Sequence, residues 1–595
     1  MKRLSGRILS VILALTLLLG SFATFAAAEQ KDTGAACGGD CGYCPVILIP
    51  GNFQSPVYLY DDDGNKVESM ALATGLYADF TAKDLMRYAV KLLTPFLATV
   101  ALQRDAGLSK AVGNVVTQAF QKDFKDNEGN HLYNIRPTVY KQSMASYSAE
   151  EKQFIYNQFP LKGYSEIAGE DHLFFFSYDS LGSISALADD LYNYIQTVKE
   201  ETGHDKVNLV PVSQGATIAG AMIERYRDEV AGDLHRIVLA VPALDGSYLL
   251  GKIFSSGFNK SDEFIYHDLF PFLLGDSAAA YALNLAIRLL PRSAVNNIFD
   301  SAVKAMEPVV VNSSCMWALT PASEYETLYQ RYMTDGSREK VRREVEFLHT
   351  AQANIRDNLL YLKSTGIEIF DLVNYDGKFF PLFEGWEKYN ADGIIQVDST
   401  SAGAYSVPIN ETLPADYRQK NTYCTCGGNH ISPSRTLDAS TGYLCETTFY
   451  FQYGEHIGSA FNDVFIRLAI ALLTDDTLTS VHSYPDRFPQ FNTVRQGGFA
   501  MRDTVAKVRK EVDFKSLNSK DREELTALLD ECDAMLDSTV VDLDAYKSAG
   551  QRLDDILVRI GYMPAPEQPS RSQVRLTNFL HKLSERIYSL RGARK

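Results

Sequence analysis

The sequence predicts an α/β protein whose core is a doubly wound, mostly parallel β-sheet. Buried apolar strands alternate with amphipathic helices along the chain, which is the order that parallel strands joined by helical crossovers produce. The clearest helix covers residues 186–200, where Leu187, Leu191 and Ile195 recur at helical spacing and Gly203 follows as a stop. The strands are expected at residues 45–49, 172–176, 206–212, 236–241 and 366–373.

Two helical, apolar segments interrupt this alternation, at about residues 81–120 and 244–363. Both are predicted to be insertions that form a helical cap. The glycine-containing acidic stretches 61–65 and 126–130 are expected to be hairpin turns. The first of them lacks the later ligands of an EF-hand, so it is not interpreted as a calcium loop.

The first residues are typical of a secretory signal peptide. Lys2 and Arg3 precede an apolar run from Ile8 to Phe25, and the small residues that follow predict cleavage after Ala28. No later apolar run is long enough to span a bilayer. The sequence therefore predicts an exported protein, secreted or on the extracellular cell surface, with an uncleaved N-terminal anchor as the alternative.

The charge balance excludes one broad class of function. The 595 residues carry a formal net charge of −16, and removal of a basic leader makes the mature chain more acidic still. Nucleic-acid binding needs clustered lysine and arginine to neutralise phosphates, so no nucleic-acid partner is expected.

The chain contains eight cysteines, six of them in two clusters. These clusters are Cys37, Cys41 and Cys44, and Cys424, Cys426 and Cys445. In an exported chain such clusters predict disulfides. The alternative is zinc bound by Cys424, Cys426, His430 and Cys445, although their spacing matches no standard zinc signature. Cys532 lies on an apolar helix face and is expected to be a core thiol.

The segment around Ser213 carries the strongest chemical signal. The apolar strand 206–212 leads directly into Ser213, Gln214 and Gly215, and a helix of small residues follows. This strand–turn–helix context raises a serine hydroxyl above the edge of a sheet, where a histidine can deprotonate it. Pro211 departs from the usual pattern, in which a small residue lies two positions before the serine.

A serine nucleophile needs a histidine base and a carboxylate that orients it. After a strand of this kind the acid and the base are expected in that chain order, following later strands. Asp392 is the preferred acid, with Asp398 in reserve. His456 is the preferred base because it lies just before a strongly apolar helix, whereas His430 in the cysteine-rich loop suits a ligand or surface role better.

The developing oxyanion needs two backbone amides. One is expected from Gln214, at the start of the helix that follows the serine. The second is expected from Asn52 or Phe53, after the first central strand, where Gly51 lets the backbone approach a substrate closely. No metal and no cofactor are assigned to this site.

Together these motifs resemble the α/β-hydrolase lipases related to lecithin:cholesterol acyltransferase, over roughly residues 45–473. The matching pieces are Pro50-Gly51, the run from Thr202 to Val210 that leads to Ser213, Met316-Trp-Ala-Leu-Thr-Pro321, Asp392 with Ile395 and Ser399, and His456 with Phe461 and Asn462. The resemblance implies an α/β-hydrolase fold with Ser213 as nucleophile, Asp392 as acid and His456 as base. It also implies a lipase or carboxylesterase that acts on lipid or other ester substrates.

Three other interpretations remain open at this stage. An acyltransferase would use the same triad with an alcohol in place of water. A catalytically inactive protein would keep the fold and bind a lipid or glycan surface. Metal-dependent hydrolysis would instead use the cysteine-rich loop.

The C-terminal part is expected to be separate from the catalytic domain, which spans residues 29–500. Residues 501–562 show three amphipathic helices and resemble the small three-helix modules of Gram-positive bacterial surface proteins. Residues 563–595 comprise a Pro-rich linker and a basic amphipathic helix with seven basic residues against one acidic residue. This helix is expected to contact an anionic membrane or cell-wall surface, or else to dock on the acidic body of the protein.

Overall fold

The structure is a computed structural model, which describes residues 41–67, 71–73, 76–77, 82–254, 259–274, 278–493, 498–537, 543–563, 577–584 and 586. The predicted leader, Cys37, most of the Pro-rich linker and the end of the basic tail lie outside these residues. None of the described helices is both long enough and apolar enough to cross a lipid bilayer.

A sheet of seven strands forms the centre of the molecule, and all its pairings are parallel. In chain order the strands of the protein are β1 (Val46–Ile49), β2 (Val57–Leu59), β3 (Ala71–Ala73), β4 (Leu76–Tyr77), β5 (Ile135–Pro137), β6 (Leu173–Phe175), β7 (Val207–Pro211), β8 (Leu234–Ala240), β9 (Glu368–Tyr375), β10 (Tyr405–Ser406), β11 (Leu437–Asp438), β12 (Thr448–Gln452) and β13 (Phe491–Thr493). The main sheet has the order β13-β12-β9-β8-β7-β1-β6, and the other strands form two-stranded antiparallel pairs. The prediction of an α/β protein with a parallel sheet is confirmed.

Helices connect these strands and cover the sheet. In chain order the α-helices are α1 (Ala82–Leu102), α2 (Leu108–Phe120), α3 (Ala149–Gln158), α4 (Lys162–Ala168), α5 (Ile184–Thr202), α6 (Gln214–Asp233), α7 (Tyr248–Phe254), α8 (Leu269–Leu274), α9 (Ala278–Leu289), α10 (Arg292–Val310), α11 (Ala322–Tyr332), α12 (Glu339–Ser364), α13 (Val397–Thr400), α14 (Asp463–Thr474), α15 (Gly498–Glu511), α16 (Ser519–Asp537) and α17 (Leu543–Arg559).

Both faces of the sheet are covered, which explains why its strands are apolar throughout rather than alternating. On one face α5, α6 and α12 pack against alternate residues of β1, β7, β8 and β9. On the other face α3, α4 and α14 pack against the residues in between. Helix α12 falls in the range expected for the cap, yet its Val345 and Leu348 belong to the cluster beneath the sheet.

Most of the remaining helices of the two insertions share one large apolar cluster. Helices α1, α2, α7, α8, α9 and α10 contribute buried residues to it, together with Phe53 from the loop after β1 and Phe379 from the loop after β9. Because both loops leave the carboxyl ends of their strands, the cluster lies over that edge of the sheet. Helix α11 instead packs with α12, through Leu328 and Tyr332.

The C-terminal helices α15, α16 and α17 bury a separate apolar cluster, which includes Leu525, Leu529 and Cys532. Cys532 is fully buried there, as expected for a core thiol. The described part of the basic tail contacts α9: Arg288 Nη1 donates to Ser584 Oγ at 2.7 Å, and the rings of Tyr281 and His581 lie 4.6 Å apart.

A buried arginine joins the amino-terminal edge of the sheet to the end of α14. The side chain of Arg236 is 1% exposed, and its Nε donates to Glu368 Oε2 at 2.6 Å. Its Nη1 donates to the carbonyls of Leu472 at 2.8 Å and Asp475 at 3.0 Å. Carbonyls at the end of a helix have no amide of a following turn as a donor, and the arginine takes that place at the end of α14.

We expect Arg236→Ala to lower the free energy of unfolding by about 2–3 kcal/mol, because buried carbonyls and a carboxylate lose their charged donor. Denaturant-induced unfolding measures the change. Arg343→Ala is the control, because Arg343 is 68% exposed and its ion pair with Glu339 spans 3.9 Å. Its effect should stay within about 0.5 kcal/mol. Equal effects of the two substitutions would contradict the stabilising role of Arg236.

Candidate active site

Ser213 lies in a strained turn between β7 and α6. Its φ is 51° and its ψ is −120°, a backbone conformation that non-glycine residues rarely adopt. Neighbouring strands hold the turn in place, since the Ser213 amide donates to Ala240 O at 3.0 Å and the Val212 amide to Ile49 O at 2.9 Å. The serine hydroxyl is thereby presented at the carboxyl edge of the sheet.

Pro211 does not disrupt this turn. It ends β7 and pairs in register with Ile49 of β1. Backbone amides alternate in direction along a strand. Those of residues 208 and 212 donate toward β1 and that of residue 213 donates toward β8, so an amide at position 211 would also point toward β8. Proline removes only that one hydrogen bond between strands, and the bonds of the Val212 and Ser213 amides that fix the turn remain.

Two glycines allow backbones to approach closely at the turn that holds Ser213. A Cβ on Gly215 would lie 2.5 Å from Ile49 O and 2.8 Å from Pro50 O, and neither backbone atom can move easily. A Cβ on Gly51 would lie 3.1 Å from the Cβ of Ser213. The loop after β1 therefore lies directly against the serine.

The structure brings the three predicted residues Ser213, Asp392 and His456 together. His456 Nε2 lies 2.9 Å from Ser213 Oγ, and His456 Nδ1 lies 2.6 Å from Asp392 Oδ2. The Asp392 side chain is fully buried and that of His456 is 11% exposed. The arrangement is a continuous hydrogen-bonded chain from a buried carboxylate through an imidazole to a hydroxyl.

Backbone hydrogen bonds hold the acid and the base in position. Asp392 Oδ1 accepts from the amides of Ile394 at 3.0 Å and Ile395 at 2.7 Å, which leaves Oδ2 for the histidine. The His456 amide donates to the Asp392 carbonyl at 2.8 Å. Because Oδ2 accepts from Nδ1, the Nε2 atom that faces Ser213 is left as a proton acceptor.

The loop that presents His456 lies between β12 and α14. Asn374, at the carboxyl end of β9, donates to Glu455 O at 3.1 Å and to Ser459 Oγ at 2.6 Å, which ties the loop to the sheet. Helix α14 then begins with a side-chain cap, in which Asn462 accepts from the amides of Val464 and Phe465.

The reserve candidates do not join this cluster. Asp398 Oδ1 accepts from the amide of Ser399 at the start of the short helix α13. His430 is fully buried, with Nε2 at 2.9 Å from Cys426 Sγ and Nδ1 at 2.7 Å from Gln490 Oε1.

Two of the three candidate oxyanion donors have free amides. Among the described residues the backbone amides of Asn52 and Gln214 have no protein acceptor. The Phe53 amide donates to Ser180 Oγ at 2.7 Å. Of the two alternatives after β1, Asn52 therefore remains available to a ligand.

Sequence reasoning missed two residues that support this loop. Ser180 holds Phe53, and Tyr178 donates from its hydroxyl to Pro50 O at 2.9 Å. Both follow β6, the neighbour of β1. A polar group just after a buried strand, at the same edge as the serine, was the signal that could have identified them.

A cavity of about 650 Å³ adjoins the site, and Asp392 and His456 form part of its lining. Its apolar wall includes Phe264, Phe380, Ile394 and Ile457. Asp268 and Lys378 also line it. Burial raises the pKa of Asp268, and the positive charge of Lys378 opposes that rise.

Three groups of side chains among the described residues could hold a metal ion. They are Cys41 with His172 and His204, Cys424 with Cys426 and His430, and Cys424 with Cys445 and Glu446. All three lie near the amino ends of parallel strands, at the edge opposite to Ser213. The seven cysteines of the described residues form no disulfide, in contrast to the expectation for an exported chain.

Comparison with known proteins adds little to this geometry. No protein-family model matches the chain, and no curated protein matches it. A solved structure described as the crystal structure of the Tle4–Tli4 complex is similar to 73% of this chain and 99% of its own. With 13% identity and a TM-score of 0.27, that similarity supports no statement about fold or activity.

We expect Gly215→Ala to destabilise the protein by about 1–3 kcal/mol, because the added methyl group overlaps backbone oxygens of the loop after β1. The midpoint of denaturant-induced unfolding measures this. Gly232→Ala on the same helix is the matched control, since nothing lies within 4 Å of its added Cβ. That substitution should leave stability unchanged or raise it by up to about 1 kcal/mol. Equal stabilities would contradict the close approach at the turn that holds Ser213.

Proposed function

We propose that this protein is a serine hydrolase of the α/β-hydrolase fold that cleaves carboxylic esters, with lipids as its substrate class. The hydrogen-bonded chain from Asp392 through His456 to Ser213 carries the proposal. Its residues follow one another in the order nucleophile, acid, base, after β7, β9 and β12. The resemblance to lipases related to lecithin:cholesterol acyltransferase agrees with this assignment.

In this mechanism His456 Nε2 removes the proton from Ser213 Oγ while that oxygen attacks the ester carbonyl. Asp392 holds the imidazole in the required tautomer and stabilises the imidazolium that forms. His456 then protonates the leaving alcohol, and an acyl group stays bound to Ser213. A water molecule, deprotonated by His456, cleaves that acyl-enzyme.

The negative charge on the carbonyl oxygen needs donors that are in position before the reaction. The free amides of Asn52 and Gln214 flank the serine, one in the loop after β1 and one at the first residue of α6. Each donor of this kind is worth roughly 3 kcal/mol of transition-state stabilisation.

Two apolar surfaces favour a lipid over a small polar ester. The cavity beside His456 has an aromatic and aliphatic wall, which suits an acyl chain. Helix α1 of the cap exposes Met86, Val90, Leu93 and Leu97, which are 57–68% exposed and share one helical face. An exposed apolar stripe of this kind favours contact with an aggregated, water-insoluble substrate.

The proposal includes export, on the basis of the leader sequence, and a C-terminal helical module formed by α15–α17. Contact of the basic tail with an anionic membrane or cell-wall surface is part of the same proposal. The contacts of Ser584 and His581 with α9 favour docking on the cap for residues 577–584.

The first test is the rate of ester hydrolysis in single variants of the triad. Ser213→Ala and His456→Ala should each lower kcat by at least about 10⁴-fold, and Asp392→Asn by about 10³–10⁴-fold through loss of the correct tautomer. The double variant Ser213→Ala/His456→Ala should be no slower than either single one, because the residues act as a unit.

His349→Gln serves as the control for this series, since His349 lies on α12 and stacks on Tyr325 of α11 rather than on a triad residue. Full activity in Ser213→Ala would refute the assignment.

Product analysis with an added alcohol distinguishes hydrolysis from acyl transfer by the same triad.

A second test separates binding of a lipid surface from chemistry. We expect Val90→Glu/Leu97→Glu to slow hydrolysis of an emulsified long-chain ester about tenfold, because charges on this apolar face oppose its contact with lipid by roughly 1 kcal/mol or more. Hydrolysis of a dissolved short-chain ester should be unchanged.

Asn114→Glu/Thr117→Glu introduces the same two charges at exposed positions of α2 and is the matched control. Equal losses on both substrates, or an equal loss in the control, would contradict a role for the α1 stripe.

A further inference from the structure

Two groups of potential metal ligands overlap near the amino end of β12 and share Cys424. Cys424 Sγ lies 3.2 Å from Cys426 Sγ, and Cys426 Sγ lies 2.9 Å from His430 Nε2. Cys445 Sγ lies within 4.8 Å of Cys424 Sγ, in the group that includes Glu446. Ligand atoms around a tetrahedral zinc ion stand roughly 3.3–3.8 Å apart, so Cys424, Cys426 and His430 need to separate by only about 0.6 Å to take up zinc geometry.

A hydrogen bond from outside the cluster sets the tautomer of His430. Gln490 Nε2 donates to Cys445 O at 2.8 Å and to Thr448 O at 3.3 Å, which turns its Oε1 toward His430. His430 Nδ1 therefore donates to that oxygen, at 2.7 Å. Nε2 is left with a lone pair aimed at Cys426, as a metal ligand requires.

The turn after Cys426 is also shaped around the sulfur. The Gly428 amide donates to Cys426 Sγ at 3.2 Å. A Cβ on Gly428 would lie 3.2 Å from that sulfur and 3.4 Å from His430 Nε2, so a side chain there would crowd both ligand atoms.

Glu446 also brings a carboxylate oxygen within 4.8 Å of the Cys424 and Cys445 sulfurs. Its Oε1 accepts from the amide of Thr425 at 3.1 Å. Zinc prefers a thiolate to a carboxylate where both are available, which favours Cys445 as the fourth ligand.

We propose that Cys424, Cys426, His430 and Cys445 bind one structural Zn²⁺ ion. Three thiolates and one imidazole form a closed tetrahedral set for zinc and leave no position for a reacting water. On binding, the thiols lose their protons to solvent, and no electrons are transferred.

The position of this centre excludes a part in the ester chemistry. Cys445 precedes β12 and His456 follows it, so the length of the strand, on the order of 15 Å, separates the two sites. The loop between β9 and β12 spans residues 376–447 and has little regular structure of its own. A zinc ion here would join residues 424–430 to Cys445 and so cross-link the end of that loop next to the amino end of β12.

The zinc content of the full chain tests this centre without reference to activity. Plasma mass spectrometry should find that Cys424→Ser/Cys426→Ser holds one zinc ion fewer per chain than the unmodified protein. The difference is used because Cys41, His172 and His204 form a second donor set. Cys532→Ala, which removes a thiol from the C-terminal helices, should retain all the zinc. An unchanged zinc content in the double variant overturns the proposal.

Alkylation of the unmodified protein covers the case in which that variant does not fold. Under native conditions Cys424, Cys426 and Cys445 should resist a thiol reagent, and a chelator should make all three reactive while Cys532 stays protected. Replacement of zinc by Co²⁺ should give the thiolate charge-transfer bands and strong visible absorption of tetrahedral cobalt. A disulfide among the three cysteines, or free reaction before chelation, overturns the proposal.

Discussion

The pairing of Asp392 with His456 is the interaction on which the rest of the site depends. Burying a carboxylate completely costs several kcal/mol unless its oxygens are hydrogen-bonded. Here two backbone amides and the imidazole supply those bonds, each of which contributes about 1.5–3 kcal/mol because the acceptor is charged. The histidine amide also donates to the Asp392 carbonyl, so the same two residues are joined at backbone and side chain. This double tie fixes the direction in which Nε2 points.

The parallel sheet explains how residues so distant in sequence meet. Ser213, Asp392 and His456 follow strands β7, β9 and β12, and the carboxyl ends of parallel strands share one edge. Hydrogen bonds to β1 and β8 on either side hold the strained backbone of Ser213 in place. The opposite edge carries the cysteine–histidine clusters and Arg236, which join loops and helix ends to the sheet. The candidate catalytic residues and these stabilising contacts thus lie at opposite ends of the same strands.

The sequence was sufficient to predict the α/β fold and to select the three residues that the structure brings together. Both depended on local patterns: an apolar strand before Ser213, Asp392 after a late strand, and His456 before an apolar helix. Other features depended on distant contacts. Only the structure shows that Ser180 occupies the Phe53 amide, and β12 and β13 escaped prediction although β12 is as long as β7, because each follows an irregular segment rather than a clear helix. Helix α12 packs beneath the sheet although its amphipathic pattern alone could equally suit the cap. The spacing of Cys424, Cys426, His430 and Cys445 matched no standard zinc signature, and only the fold brings Cys445 and the supporting Gln490 to the other three residues.

Reaction of the folded, purified protein with a fluorophosphonate, followed by peptide mapping, tests most directly whether Ser213 is an activated nucleophile. The hydrogen-bonded chain predicts a single adduct on Ser213 that is lost in His456→Ala, because the unassisted hydroxyl is a weak nucleophile. Folded protein that stays unlabelled even with detergent present, or an adduct on a different serine, would contradict the proposed catalytic role of this site.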